Sequence, residues 1–367
     1  MAVESISDEL VDIFEAALAV ELGDDDVGVV AEKEAVDQPP LKKQHCSTTA
    51  ATAAEEPDWK ITFAQSVLLR TFCENVGNIL TECYFEVVHS EEQDGFSGLS
   101  VESIDQGRVC LIQARLSGQV SVSPNAPAGP RGFCVRMSLL TSSLKTGHAC
   151  HFVDLWQPAK SSDVVFRIYE PNVSNAAQEF TLHTLAKEND CPGLAGLEYS
   201  IFVEIDLDTF RTAIRLAREH KADVMTIAVY TPKKHHHPTG SEDCDHHHFQ
   251  STNVSFFVIS YDADEISAKF PYPSSTVSEA HVDGKPTVIR ANDTTKLDLT
   301  GLPPQDSLDT VFCDRFGAEQ LYNFVRGMER REVTLRLDNG KPLLLEYPLG
   351  GSSRTDYIRF VLAPKLQ

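Results

Sequence analysis

The hydrophobic pattern of the chain has two periods from residue 59 onward. Two sets of apolar residues recur every three or four positions, which predicts a helix with one buried face in each case: Leu68, Phe72, Val76 and Ile79, and Leu207, Phe210, Ile214 and Ala217. Residues 138–146 and 318–328 favour two further short helices. Short apolar runs between the helices are typical of strands, at 60–63, 84–88, 99–104, 108–116, 151–156, 164–170, 199–205, 224–230, 256–262, 265–270, 333–337 and 343–349.

These elements follow one order twice. A strand, a helix, several strands, a second helix and a pair of strands recur after roughly 140 residues, which predicts an α+β fold made of two similar domains. We expect domain 1 over residues 58–180, a polar connector over 181–198, and domain 2 over 199–367. The sequence Asp338-Asn339-Gly340-Lys341 separates the last two strands and predicts a tight hairpin.

Residues 1–57 have no packing pattern and carry much of the negative charge. The first 56 residues hold 14 Asp and Glu against three Lys, in a chain whose formal net charge is -22. Such a composition predicts a disordered acidic tail. Within the tail, apolar residues recur at helical spacing between Leu10 and Leu22. Two interpretations remain open, a short partner-binding helix or a helix that forms only transiently.

Composition also excludes several classes of protein. No apolar run approaches the roughly 20 residues that span a bilayer, and the N-terminus lacks the pattern of a secretory signal. The nine cysteines follow no framework of spacings, which favours free thiols in a reducing compartment. A phosphate-binding Gly-rich loop with Lys is absent, and a turn beside a strand explains Asp262, Asp264 and Glu265. We therefore expect a protein that is not an enzyme and needs no cofactor.

Several segments resemble one protein family in the same order along the chain. Residues 341–347 and 357–366, which end in Leu-Ala-Pro-Lys-Leu, closely resemble the end of eukaryotic proliferating cell nuclear antigen. Residues 99–105, with Val109 and Leu111 after them, are similar to the first-domain signature of that family. Residues 197–200 resemble the end of its interdomain connector. The resemblance covers residues 59–366.

This resemblance implies a DNA sliding clamp with the duplicated clamp fold. Three identical chains would form a closed ring with helices lining the hole and sheets outside. The ring would encircle double-stranded DNA and tether DNA polymerase and other clients through short peptides. A separate clamp loader ATPase would open it, in the nucleus or a viral replication compartment, and no membrane would be involved.

Basic residues lie where such a ring needs them. Arg211, Arg215 and Arg218 share one side of the predicted third helix, opposite its apolar face, and Lys221 continues the row. The other candidates for sequence-independent phosphate contacts are Arg70, Lys145, Arg326, Arg330 and Arg331. A solvated helix face is the alternative for the third-helix row. Favourable interaction with the helix dipole is the alternative for Arg330 and Arg331.

The resemblance also implies a groove for client peptides beneath the connector. Its walls would be Ile104, Leu194, Tyr199, Pro342, Val361, Ala363, Pro364 and Leu366, with Arg108 where the family usually has His. Apolar residues in loops and at a C-terminus favour such a groove, although packing against one another is the alternative. Val361 replaces a larger aromatic residue and Pro192 an aliphatic one, so the groove is expected to be wider or to select different clients.

Two regions depart from the family pattern. Residues 232–252 form a His-rich insertion with six His and Cys244 between His235 and His248. The spacing matches no structural zinc motif, so a polar loop is favoured over a metal site. In the family, a strand near residues 176–182 pairs with one near 268–290 of the next chain. Here Pro271 and Pro273 favour a loop in the second segment and a weaker ring.

Two other functions fit the same sequence. One is a subunit of a heterotrimeric checkpoint-type clamp, which shares the fold but signals damage. The other is a non-ring protein that sequesters clamp-binding partners, which would keep the groove and need no basic helix face.

Overall fold

The computed structural model describes residues 56–90, 95–173, 177–186, 191, 197–233, 254–276, 287–291, 305–328, 332–349 and 355–365. Within these residues the chain forms four helices: α1 Ser66–Gly77, α2 Met137–Leu144, α3 Leu207–Glu219 and α4 Ala318–Val325. None of the helices described there is long and apolar enough to cross a membrane.

The described part of the chain is rich in strands. Their bounds are β1 Trp59–Phe63, β2 Glu82–Val88, β3 Gly98–Ile104, β4 Cys110–Ser117, β5 Gln119–Val122, β6 Gly132–Arg136, β7 Phe152–Gln157, β8 Val164–Tyr169, β9 Gln178–Leu182, β10 Ile201–Asp206, β11 Val224–Pro232, β12 Val254–Asp262, β13 Ser267–Thr276, β14 Thr287–Arg290, β15 Leu308–Gly317, β16 Glu332–Leu337, β17 Leu343–Pro348 and β18 Tyr357–Leu362. A short 3-10 turn at Gln305–Ser307 precedes β15.

The strands lie in two sheets whose halves follow matching orders. One sheet is β5-β1-β7-β8-β9, and the other runs β15-β11-β12-β13-β14-β10-β16-β17-β18-β4-β3-β2-β6. The second half of the chain thus contains β14-β10-β16-β17-β18 and β13-β12-β11-β15, in the order of β5-β1-β7-β8-β9 and β4-β3-β2-β6 of the first half. One difference is that β5 is antiparallel to β1, whereas β14 is parallel to β10.

Helix α3 illustrates why the sequence forms these elements. The Asp206 carboxylate accepts the backbone N–H of Thr209 at 2.9 Å and so caps the first turn. The predicted apolar face, Leu207, Phe210, Ile214 and Ala217, is buried against the sheet. The helix ends at Glu219, and Lys221 follows with a left-handed φ of 60°. The pattern of charge and burial therefore fixes both the limits of the helix and its exposed face.

The two halves are joined by a strand pair on one side and by helix ends on the other. Strand β18 is antiparallel to β4, with Phe360 opposite Ile112. On the helix side, Asn75 Nδ2 donates to Gly327 O at 3.1 Å, and Arg326 Nε donates to Asn78 Oδ1 at 2.8 Å. One hydrophobic core extends through both halves across this junction.

The structure corrects several sequence-based expectations. The strand predicted at 265–270 runs instead over Ser267–Thr276 as β13, through Pro271 and Pro273, where a loop was expected. Strands β5, β6, β14 and β15 are absent from the strands that the sequence predicted. Strand β9 extends to Leu182, two residues into the predicted connector. The hairpin at Asn339-Gly340 is confirmed, with Gly340 at a left-handed φ of 73°.

Candidate functional site

The exposed face of α3 carries two of the predicted arginines in open positions. The Arg215 side chain is 60% exposed, with Nε 3.6 Å from Glu219 Oε1 one turn later. Arg218 lies with Nε 3.2 Å from Glu319 Oε2 of α4 and with its guanidinium 4.0 Å from the centre of the Tyr322 ring. Both ion pairs are solvent-exposed, and such pairs contribute little free energy. An incoming phosphate can therefore replace either carboxylate at small cost.

Arg211 differs from the open row that its spacing predicts. Its Nε donates to Val325 O at 3.2 Å, and its Nη2 donates to Met328 O. Its Nη1 donates to Asp208 Oδ1 at 3.1 Å. Val325 ends α4 and its carbonyl also accepts the backbone N–H of Met328 at 3.3 Å, whereas Met328 lies three residues beyond the helix. Arg211 thus holds α3 and α4 together, and this role corrects the expectation of a side chain that only faces outward.

The remaining basic candidates are spread over the other helix ends. Arg70 Nε lies 3.9 Å from Glu74 Oε1 on α1. Lys145 follows α2 and is exposed, as is Lys221 after α3. A cleft of ≈ 660 Å³ between α1, α2 and α4 is lined by Lys145 and by Arg326. Arg330 and Arg331 lie outside the described residues.

Most of the predicted groove residues meet in one apolar cluster. Tyr199 and Val361 are buried with Leu111 and Leu344, and Ala363 is buried against Leu197. The Tyr199 hydroxyl donates to Pro342 O at 3.0 Å, and burial raises the pKa of that phenol well above its usual value. These side chains therefore pack against one another, which was the alternative to an open groove.

The edge of this cluster is formed by the turn between β3 and β4. Ile104 ends β3 and is half-buried, while Arg108 is exposed with a left-handed φ of 55°. Asp105 Oδ1 accepts the backbone N–H groups of Val109 and Cys110 at 2.9 and 2.8 Å, which fixes the turn. Burial raises the pKa of Asp105, and these hydrogen bonds oppose the shift.

Two of the remaining groove candidates are described by the structure and two are not. Pro342 and Pro364 are half-buried. Leu194 and Leu366 fall outside the described residues. One contact that the sequence did not suggest is Lys341, whose Nζ donates to Glu198 O at 2.5 Å and to Asp338 Oδ2 at 3.0 Å. This lysine joins the end of the connector to the β16–β17 hairpin.

The metal hypothesis concerns residues that the structure does not describe. All six histidines and Cys244 of the insertion fall in the undescribed range 234–253. Among the residues that are described, no group of three or more His, Cys, Asp or Glu has the geometry of a metal site.

Strands β9 and β13 each leave one side largely without a strand partner among the described residues. Strand β9 ends the five-stranded sheet, and β13 pairs with β14 only at Ser275 and Thr276. Ile266, immediately before β13, is 42% exposed. An open edge with an exposed large apolar residue beside it is a template for pairing with another chain.

Comparison with known proteins supports the fold by structure and not by sequence. No protein-family model and no curated protein sequence matches the chain. Among solved structures, the chain is similar to the crystal structure of proliferating cellular nuclear antigen from Entamoeba histolytica, with a TM-score of 0.58 and 13% identity. The match covers 85% of this chain and 100% of that one. The chain therefore has a fold like that of proliferating cellular nuclear antigen.

Proposed function

We propose that three copies of this chain close into a ring that encircles double-stranded DNA and acts as a sliding clamp. The observation that supports this proposal is that the two strands that join the halves inside the chain have counterparts that remain available for pairing with another chain. Inside the chain, β18 pairs with β4. Their counterparts in the matching sheet orders are β9, which ends the five-stranded sheet, and β13, which over residues 267–274 pairs with β12 alone among the described residues. A second copy can be related to the first as the second half of the chain is related to the first half. Its β13 then lies against β9 of the first copy, and repeating this step closes a ring.

The register of the subunit contact follows from the register inside the chain. Phe360 lies opposite Leu345 as Phe180 lies opposite Phe166, so Phe180 is the counterpart of Phe360. The residues of the two halves can be matched by counting along the chain and across paired strands from the end of the preceding helix, which is α1 in the first half and α3 in the second. In this count Ala268 of β13 is the counterpart of Ile112 of β4. Because Phe360 lies opposite Ile112, we expect Phe180 opposite Ala268 of the next chain.

This register gives the boundary complementary charge and apolar cover. It places Glu179 opposite Lys269 and Leu182 opposite Ile266 of the neighbouring copy. Opposite charges directly across two strands stabilise the pair, and the exposed Ile266 gains a partner. Pro271 and Pro273 fall beyond the end of β9, so neither removes a hydrogen bond that the contact requires.

In such a ring the four helices of each chain face the hole. Arg70, Lys145, Arg215, Arg218, Lys221 and Arg326 would contact phosphates, with Arg330 and Arg331 as further candidates and Arg211 mainly supporting α4. Contacts to the backbone alone carry no sequence information and weaken with salt. The ring is then held on DNA by encircling it and not by tight binding, so it can slide along the duplex. It performs no reaction of its own.

The partner surface supports the second half of the proposal. The cluster around Tyr199 and Val361, bordered by Ile104 and Pro364, lies where the resemblance implies client peptides bind. We propose that DNA polymerase and other clamp-binding proteins dock there after Leu197 moves aside. A clamp loader ATPase would open the ring, and the nucleus or a viral replication compartment is the expected location.

Retention on circular DNA tests the proposal. The protein is loaded on a nicked circle, washed at high salt, and the DNA is then linearised. A sliding clamp stays on the circle and slides off after linearisation. Equal retention on both forms contradicts topological linkage. Client-peptide binding without any retention supports the sequestering protein, and a ring that forms only with other subunits supports the checkpoint-type clamp.

A further inference from the structure

The helix ends that join the two halves have counterparts elsewhere in the chain. Helices α2 and α4 both have eight residues, so Lys145 and Arg326 directly follow them at matching positions. Helices α1 and α3 bury the same positions, which are the fourth, seventh, eighth and eleventh residues of each. By this count Glu219, the thirteenth residue from the start of α3, is the counterpart of Asn78, which directly follows α1.

Inside the chain, the matched positions meet through an uncharged partner. Arg326 Nε of the α4 end donates to Asn78 Oδ1 of the α1 end at 2.8 Å. In the ring proposed above, two neighbouring chains are related as the two halves of one chain are, so the α2 end of one copy lies against α3 of the next. The same contact then brings the Lys145 amine to the Glu219 carboxylate of the next chain.

Both side chains are available for this contact. Lys145 and Glu219 are exposed. In its own chain Lys145 lines the same cleft as Arg326, and the like charge of Arg326 repels it from that side. Glu219 lies 3.6 Å from Arg215, but an exposed ion pair of this kind contributes little free energy. Lys145 of a neighbouring chain can therefore share or replace this partner.

We propose that Lys145 and Glu219 of the next chain form an ion pair that closes the helix side of each subunit boundary. The proposal rests on the ring proposed above and adds a second contact to the pairing of β9 with β13. The matching contact inside the chain is a hydrogen bond to a neutral amide, whereas the contact between chains joins two exposed charges, which salt screens. Salt should therefore loosen the boundary between chains before it loosens the junction inside the chain, and we expect the ring to open at this boundary.

Carbodiimide coupling tests the contact directly, because it joins a carboxylate to a lysine amine only when the two touch. Unlabelled and heavy-isotope-labelled full chains are mixed and allowed to exchange. We expect hybrid cross-links between Lys145 of one chain and Glu219 of another. Glu74 lines the same cleft as Lys145 and is the control for a link within one chain. Links from Lys145 to Glu74 alone, or to Glu219 only within one chain, overturn the proposal.

Charge variants test the contribution of the contact to the ring. Lys145→Glu and Glu219→Lys should each raise the concentration at which half of the rings dissociate by about tenfold, because like charges then meet at the boundary. Light scattering without DNA measures this concentration, and the double variant should restore it.

Lys365→Glu is the matched control, since it makes the same charge change at an exposed residue outside the boundary strands and helices. Equal dissociation of the Lys145→Glu and Lys365→Glu variants, or a double variant as weak as the single ones, overturns the proposal and leaves the ring itself intact. A natural chain that forms no trimer at any concentration overturns the clamp proposal instead.

Discussion

Two arginines one turn apart on α3 are expected to respond differently to the same substitution. Arg211→Ala removes the side-chain donors of Val325 O and Met328 O, although Val325 O keeps the backbone N–H of Met328. A hydrogen bond from a charged donor contributes about 1.5–3 kcal/mol when buried. The Arg211 side chain is 32% exposed, so solvent screening reduces the combined loss to about 1–2 kcal/mol.

Arg215→Ala is the matched control. Arg215 is mostly exposed and has a single ion pair at 3.6 Å, so its loss should change the free energy of unfolding by less than about 0.5 kcal/mol. Urea denaturation measures both values, and DNA binding at low salt measures the other consequence. We expect Arg215→Ala to weaken DNA binding and Arg211→Ala to lower stability. Equal unfolding free energies for the two variants would refute the assignment of Arg211 to the α3–α4 contact.

Three further predictions follow from the junctions and the β3–β4 turn. Glu179→Lys should dissociate the ring through repulsion by Lys269 of the next chain, and adding Lys269→Glu should restore it; native mass spectrometry reads both states. Gly327→Ala should destabilise the chain by about 1–3 kcal/mol, because its Cβ would lie 2.8 Å from Oδ1 of the buried Asn75; thermal unfolding measures the loss. Burial raises the pKa of Asp105 above its value in the unfolded chain. The stabilisation that this carboxyl gives to the folded state is therefore fully present below the unfolded pKa, and it is lost as pH rises through the folded pKa. Asp105→Asn should therefore gain stability relative to the natural chain only above that window, as urea titrations at pH 3 and pH 7 would show.

Each of these predictions has an outcome that contradicts it. A double charge swap at 179 and 269 that stays monomeric excludes the proposed register. Gly340→Ala is the comparison for Gly327→Ala. No atom lies within 4 Å of a Cβ at Gly340 but its φ is left-handed, so this variant measures the cost of backbone strain, whereas Gly327→Ala measures the cost of the close contact. An Asp105→Asn variant with the same stability difference at both pH values removes the titration argument.

The sequence located the helices because their apolar periodicity is strong and local. Helix α3 was predicted within one residue of its end, since Leu207, Phe210, Ile214 and Ala217 leave one register for burial. Strand β15 was missed because exposed Asp309 and Thr310 interrupt its apolar residues. Strand β13 was predicted only as far as residue 270, because Pro271 and Pro273 suggest a loop, yet both lie within the strand.

The candidate site was predictable only in part for a similar reason. Helical spacing correctly grouped Arg211, Arg215 and Arg218 on one side of α3. The contact of Arg211 with Met328 joins residues 117 positions apart, and no local pattern encodes it. The burial of Tyr199 and Val361 depends likewise on Leu197 and Leu344, which approach them only once β17 and β18 have paired within one sheet.

The ring itself is tested most directly by the mass of the full chain in solution. Native mass spectrometry or light scattering at low micromolar concentration should give three times the 40.5 kDa mass of one chain. The Glu179→Lys variant should give the mass of a single chain under the same conditions. A natural protein that stays at 40.5 kDa at every concentration would contradict the pairing of β9 with β13.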